Sequence, residues 1–263
     1  MDVLLSRFVC SLPRSLLQNV FQKTSAILLG STPEYLKPKG GLFEGHPTIK
    51  SDLFDKISRG KINVKPAITK FSKNSILFAD GRKEEFDTVI FCTGYNIGFP
   101  FFDQTVIAPK DNKISLYKMI VPPTHRNIFF IGLVQPLGAI MPVAEIQTRW
   151  AISMLQRPEL LPTPPSMYAW IAHDQDRRRK RYMASSRHTI EVDWLPYMDL
   201  LAKDIGCRPT FWRVLYQNRS VRLAFKTCFG TPKTEYFRIL KTSHSCSKFV
   251  LGRLSTECDL GKE

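Results

Sequence analysis

The chain has no C-x-x-C pair. Its six cysteines (Cys10, Cys92, Cys207, Cys228, Cys246 and Cys258) come no closer than the twelve positions between Cys246 and Cys258. That spacing supports neither a zinc site nor a disulfide framework and points to reduced thiols in a cytosolic setting. Glycine is sparse where phosphate binding would need it. The only cluster, Gly40, Gly41 and Gly45 in PKGGLFEGHP, follows no strand. It also lacks the G-x-G-x-x-G spacing that brings backbone N–H groups against a pyrophosphate. The C-terminal stretch FRILKTSHSCSKFVLGRLSTECDLGKE holds no apolar run long enough to span a bilayer. The apolar stretch 127–146, NIFFIGLVQPLGAIMPVAEI, does not read as a span either, because Pro136 and Pro142 interrupt a helix and Gln135 and Glu145 would lie in hydrocarbon.

What is present is a globular composition with a basic excess. At 263 residues and 43% hydrophobic content the chain can bury a large core, as one large domain or two modest ones. Its 38 Lys and Arg against 23 Asp and Glu give a formal charge of +15. Between positions 207 and 253 ten basic residues (Arg208, Arg213, Arg219, Arg222, Lys226, Lys233, Arg238, Lys241, Lys248 and Arg253) face one acid, Glu235. Such a field favours anionic lipid, nucleic acid or a phosphorylated cofactor. It is equally what a solvated face looks like, since apolar Phe211, Trp212, Leu215 and Phe225 interleave with the cations. The run RRRKR at 177–181 follows HDQD on an expected exposed helix with no recognition motif beside it, so no nucleic-acid partner is assigned.

Along the chain, residues 3–29 carry Arg7, Arg14 and Lys23 without an acid, with Leu5, Phe8, Val9, Leu12, Leu16 and Val20 at helical spacing, as in a transit peptide. A Gly/Pro-rich connection follows. Ser51 or Asp52 then caps a short helix that ends at Gly60, and 61–65 reads as a strand. Next come strands at 68–71 and 75–79, an Asp80-Gly81 turn, and 87–92, whose Thr-Val-Ile-Phe-Cys run is apolar on both faces. These form a small meander leading into an interior parallel strand. A second such strand is expected at 127–133, and Val143, Ile146, Trp150 and Leu155 mark an amphipathic helix closed by Pro158.

Both expected interior strands end in glycine. A buried parallel strand delivers its C-terminal end to the crevice where open α/β sheets bind ligands. Thr93, Gly94 and Tyr95 close the first, and there a small Thr-Gly lets the backbone approach a planar or phosphorylated group. Gly132 closes the second and leads to Gln135 and Gly138, where exposed amides would meet an electron-rich ring or an anion. The plainer alternative is that Gly94 serves a tight turn and Tyr95 packs over the core.

At these residues FDTVIFCTGYNIGFPF resembles the F-A-T-G-Y strand of the flavin-containing monooxygenases, with Cys92 in place of alanine. FFIGLVQPLGAIMPVAEIQTRW resembles that family's second signature, and LYKMIVPPTHRNI and EGHPTIKSDLFDKISRGKINVKP follow its pattern. The transit-like stretch is similar to an internal R-F-x-x-x-L-R-N segment of the family, which argues against an import signal. The resemblance implies a flavoprotein that uses FAD and NADPH to activate dioxygen and oxygenate soft nitrogen or sulfur nucleophiles. It also implies an endoplasmic-reticulum membrane location, with the cytoplasm as the alternative. The fold implied is α/β: an incomplete version of the two-dinucleotide-binding-domain fold, with a β-meander, buried parallel strands and a helical C-terminal part. Residues 1–60 would be a remnant of the NADPH domain, and 61–263 the C-terminal part of the FAD domain with a basic helical extension. Both phosphate cradles of the family, and its N-terminal asparagine near the flavin, have no counterpart here. The expectation is a chain weakly active or inactive by itself. The alternative is a non-catalytic fragment that docks on a full-length relative or an anionic membrane. No catalytic residue, metal or oligomeric state is assigned.

Overall fold

A computed structural model describes residues 6–13, 17, 19–20, 23–24, 44–45, 52–182, 185 and 188–240. The Gly/Pro-rich connection, most of the transit-like stretch and the tail from 241 onward lie outside the described residues. The fold is mixed α/β, with a small antiparallel sheet, a short parallel pair and a set of helices. The chain divides into two compact units, Pro47–Asn96 and the remainder.

Helix α1 (Arg7–Ser11) belongs to the larger unit, and the smaller unit opens with the short helix α2 (Leu53–Ser58). Asp52 stands at the N-cap of α2 and pairs with Lys56 at 2.8 Å, while Gly60 at φ +69 turns the chain away. Strands β1 (Ile68–Phe71), β2 (Ser75–Phe78) and β3 (Lys83–Glu85) form an antiparallel meander in sequence order. The expected Asp80-Gly81 turn joins β2 to β3, with Gly81 at φ +82 and its N–H donating to the Phe78 carbonyl. The third strand is Lys83–Glu85 and not 87–92.

Three expected strands are corrected. Residues 87–92 are extended but unpaired, and Ile90 and Phe91 are 80% and 69% exposed. A run apolar on both faces is stable as an interior strand only with neighbours on both edges. No strand among the described residues lies beside it, and the Phe91 ring packs at a tilt against Phe71, 5.7 Å away. Residues 127–133 make a single ladder-like bond, Phe130 N–H to the Ile120 carbonyl at 2.8 Å. Residues 61–65 form no strand, because the amides of Lys61 and Ile62 both fold back onto the Lys56 carbonyl at the end of α2.

The larger unit is organised by α3 (Ile140–Gln156), α4 (Pro164–Arg181), α5 (Trp194–Asp204), α6 (Phe211–Asn218) and α7 (Val221–Phe229). Strand β4 (Gln135–Pro136) pairs in parallel with β5 (Glu191–Val192). The expected helix after Pro142 is α3, and Pro142 falls in its first turn, where a missing N–H costs nothing. Val143, Ile146, Gln147, Trp150 and Met154 line its buried face at helical spacing. They meet Leu195, Met198 and Leu201 of α5 and the segment Leu116–Val121, all in one core. The basic run ending α4 is not uniformly solvated as expected. Arg178 pairs with buried Asp174 at 2.9 Å, Arg181 pairs with Asp193 at 2.9 Å, and burial pulls the Arg178 guanidinium below its ordinary pKa. At the N-terminal end, Arg7 of α1 pairs with Asp199 of α5 at 2.9 Å and donates to the Thr227 carbonyl of α7.

The Lys118 ammonium is buried, ion-paired with Asp204, and lies over the Tyr117 and Trp150 rings. Asp204 also accepts from Trp150 Nε1 at 2.8 Å. Asp204→Ala therefore strands a buried cation, and urea unfolding should show a loss of about 3–5 kcal/mol. Glu145→Ala, which breaks an exposed pair with Arg238, should cost less than about 1 kcal/mol in the same assay.

Candidate functional site

The structure separates the expected site residues into two sets. Thr93, Gly94 and Tyr95 end the smaller unit, and Tyr95 is 97% exposed. Gly94 has φ +85, and a Cβ added there would meet nothing within 4 Å. Its glycine is required by the backbone conformation and leaves its surroundings open. Gly132, Gln135 and Gly138 belong to the larger unit and lie on one segment that enters α3.

That segment is held mostly by its own backbone. Gln135 N–H donates to the Ile190 carbonyl at 2.8 Å and Leu137 N–H to Val192 at 3.2 Å, which forms the β4–β5 pair. Gly138 N–H donates to the Pro136 carbonyl at 2.8 Å, and Gly132 N–H to Gln147 Oε1 at 2.7 Å. The amides of Gly132, Gln135 and Gly138 are thus taken internally. The start of α3 offers further donors, because Ala139 at the N-cap has no side-chain cap and the N–H groups of Ile140 and Met141 carry the positive end of the helix dipole. Met141 in that first turn is 78% exposed.

The two glycines here answer to different constraints. Gly132, at φ +81, has open space where a side chain would be. Gly138, at φ +147, is crowded: a Cβ would lie 3.0 Å from the Trp194 ring, whose Nε1 donates to the Ala139 carbonyl at 2.9 Å. The second glycine therefore packs a tryptophan against the entrance to the helix. Sequence reasoning missed Gln147 and Trp194 as parts of this segment. For Gln147 a signal was present, since an amide stands among Val143, Ile146 and Trp150 on the apolar face of α3.

The residues that resemble a flavin site fit its ring end only. The open turn at Gly132, followed in sequence by an uncapped helix start, suits a planar, electron-rich ring. A pyrophosphate needs a glycine-rich turn between strand and helix, and none exists among the described residues. Nor can any group of three or more His, Cys, Asp or Glu among them hold a metal ion. Gly138→Ala should cost about 1–3 kcal/mol in thermal or urea unfolding and shift the Trp194 fluorescence. Gly132→Ala, without a steric clash, should cost only the backbone penalty of about 1–2 kcal/mol.

Comparison with known proteins gives these features a family. The model of the flavin-binding monooxygenase-like (FMO-like) family matches residues 2–245. Flavin-containing monooxygenase 5 of Cavia porcellus is 38% identical over 207 residues, covering 78% of this chain and 38% of that protein. The Homo sapiens protein of the same name is 40% identical over the same coverage. Dimethylaniline monooxygenase [N-oxide-forming] 2 of Rattus norvegicus is 33% identical over 208 residues, again 78% of this chain and 38% of the relative. Among solved structures, S-allyl-L-cysteine S-oxygenase from Allium sativum aligns with TM-score 0.42 and 24% identity, over 70% of this chain and 42% of its own. The chain spans well under half the length of the curated relatives it matches. With four-fifths of its residues or more under one family description, the chain belongs to the flavin-binding monooxygenase-like family.

Proposed function

We propose that this chain is the ring-side part of an FAD- and NADPH-dependent monooxygenase that oxygenates soft nitrogen or sulfur nucleophiles, and that it is weak or inactive by itself. The observation that carries the reading is the segment Gly132–Gly138 leading into the uncapped start of α3. FAD, when bound, supplies the redox chemistry with dioxygen. This chain's contribution would be to orient: the dipole of α3 would favour electron density near its N-terminus, and the absence of a Cβ at Gly132 would admit a flat group. Thr93, Gly94 and Tyr95, in the smaller unit, are proposed as cofactor contacts on the family resemblance alone. In this reading residues 1–60 are the closing part of an NADPH domain and 61–263 the returning part of an FAD domain. An endoplasmic-reticulum location is proposed on family grounds, although no helix among the described residues is long and apolar enough to cross a membrane.

The test is isothermal titration of the chain with FAD. A dissociation constant well above micromolar is expected, because nothing described grips the pyrophosphate. Grafting a relative's N-terminal half, with its glycine-rich turns, should restore stoichiometric flavin absorbance and NADPH oxidation, and Gly94→Val in the graft should abolish turnover. Micromolar binding by the ungrafted chain would sink the reading.

A second reading is favoured by the helical hairpin α6–α7. Trp212 and Tyr216 are 75% and 87% exposed, and Phe225 and Val221 are each more than half exposed. Phe211, Phe225 and Phe229 form a chain of ring contacts at 5.3 and 5.6 Å, extended by Phe8 of α1 at 5.1 Å from Phe229. No carboxylate among the described residues pairs with Arg219, Arg222 or Lys226. Exposed aromatics interleaved with free cations suit the interface of an anionic leaflet, where each basic residue contributes about 1 kcal/mol. The chain should sediment with vesicles containing phosphatidylserine, be released by high salt, and bind neutral vesicles much less. Trp212→Ala with Phe225→Ala should weaken binding at least tenfold; equal binding by that variant would show that the attraction lies elsewhere.

A further inference from the structure

We propose that Gln147 is the positioning residue for the Gly132 turn, holding it in the form in which it faces a flavin ring. The inference rests on the ring-side reading above. Gln147 sits in the middle of α3, wholly buried on a face built mostly of apolar side chains. An amide in that position is destabilising unless its polar atoms are all satisfied. Here Oε1 accepts the Gly132 N–H at 2.7 Å and Nε2 donates to Tyr197 Oη at 2.8 Å. Tyr197 Oη in turn donates to the Lys118 carbonyl at 2.7 Å.

The chemistry of the two ends fixes the direction of this chain. A backbone N–H only donates, so the atom facing Gly132 is the amide oxygen. A backbone carbonyl only accepts, so the Tyr197 proton points to Lys118 and leaves its oxygen lone pair for Nε2. Burial pushes the Tyr197 phenol far above its ordinary pKa, so the hydroxyl keeps its proton. Glutamine offers an acceptor and a donor on one planar head, as this arrangement needs. An ionised carboxylate would set an oxygen against the tyrosine lone pair.

The need for such a hold follows from the segment itself. Phe130 N–H is anchored to Ile120 and Gln135 N–H to Ile190. Between them Gly132 stands at φ +81 with no atom within 4 Å of where its Cβ would be. Glycine is the residue with most conformations open to it, and packing does not select among them here. The Gln147 side chain ties the turn's middle to α3, the helix whose N-terminus forms the other part of the proposed ring wall.

The experiment uses the whole chain labelled with ¹⁵N and follows the Gly132 amide in two ways: its hydrogen-exchange protection, corrected for the intrinsic rate, and its shift on adding riboflavin. In the wild type the amide should be protected and riboflavin should move it. In Gln147→Leu exchange should be about tenfold faster or more, and the riboflavin response should be lost. Gln147→Glu supplies the conservative rescue. Its buried carboxyl, with a raised pKa, mimics the amide while protonated, so protection and riboflavin response should match the wild type near pH 5 and fall to the leucine level by about pH 9. The titratable and charged groups facing that position are Tyr197 from α5 and Lys118 with its partner Asp204, while Asp174 and Arg178 of α4 act on Tyr197. If the leucine variant does not fold, the two pH values of the glutamate variant carry the comparison in one sample. Unchanged protection in Gln147→Leu, or a pH-independent Gln147→Glu, overturns the positioning role. Protection that responds as expected while riboflavin leaves the wild-type amide unmoved overturns the ring-side reading and leaves the hydrogen-bond chain standing.

Discussion

Two adjacent residues with side chains, Lys118 and Met119, hold left-handed backbone at φ +51 and +61 inside the core, and much of the larger unit is arranged to keep them there. Each conformation costs about 1–2 kcal/mol. They persist because their surroundings over-determine them. Tyr117 and Val121 exchange backbone bonds across the turn, the Lys118 carbonyl receives the Tyr197 hydroxyl, and its ammonium meets Asp204. Asp204 is fixed in turn by Trp150 of α3. Helices α3 and α5 therefore take their relative setting from one strained turn, and through Gln147 the Gly132 segment is referred to the same origin.

This arrangement gives the larger unit a well-braced interior around a segment that faces outward, and gives the smaller unit an extended run with little to lean on. The curated relatives in this family are matched over only 38% of their own length. Apolar residues such as Ile90 and Phe91 are written for a sheet interior. With no adjoining strand among the described residues their alternation has no faces to sort, and the run forms no ladder.

The readable parts of the sequence were those whose signals are local. The Asp80-Gly81 turn, Gly60 after a short helix, and the spacing of Val143, Ile146 and Trp150 each depend on neighbours within a turn or two, and each is where it was expected. What failed depends on distant partners. Residues 87–92 and 127–133 carry strand composition, but composition does not say whether another strand stands alongside. Arg181 looks solvated because its carboxylate, Asp193, is recognised only once α4 is folded beside β5, whereas Arg178 had a local signal in Asp174 four residues earlier on the same helix. Gln135 and Gly138 were read as a source of free amides, while the bonds that occupy those amides come from β5 and from a local turn. Gln147 was legible in principle, as a polar residue on an apolar stripe.

The ion pair between Arg7 and Asp199 joins residues 192 positions apart. On the ribosome Arg7 is made 192 residues before its carboxylate partner, with roughly ten to forty seconds of elongation between them at ordinary translation speeds. During that interval the N-terminal helix has neither Asp199 nor the Thr227 carbonyl to bind, and closing so long a loop carries an entropic penalty that its local contacts do not offset. The order of assembly is thereby set by the direction of synthesis: α1 can dock through Arg7 only after α5 and α7 have been made.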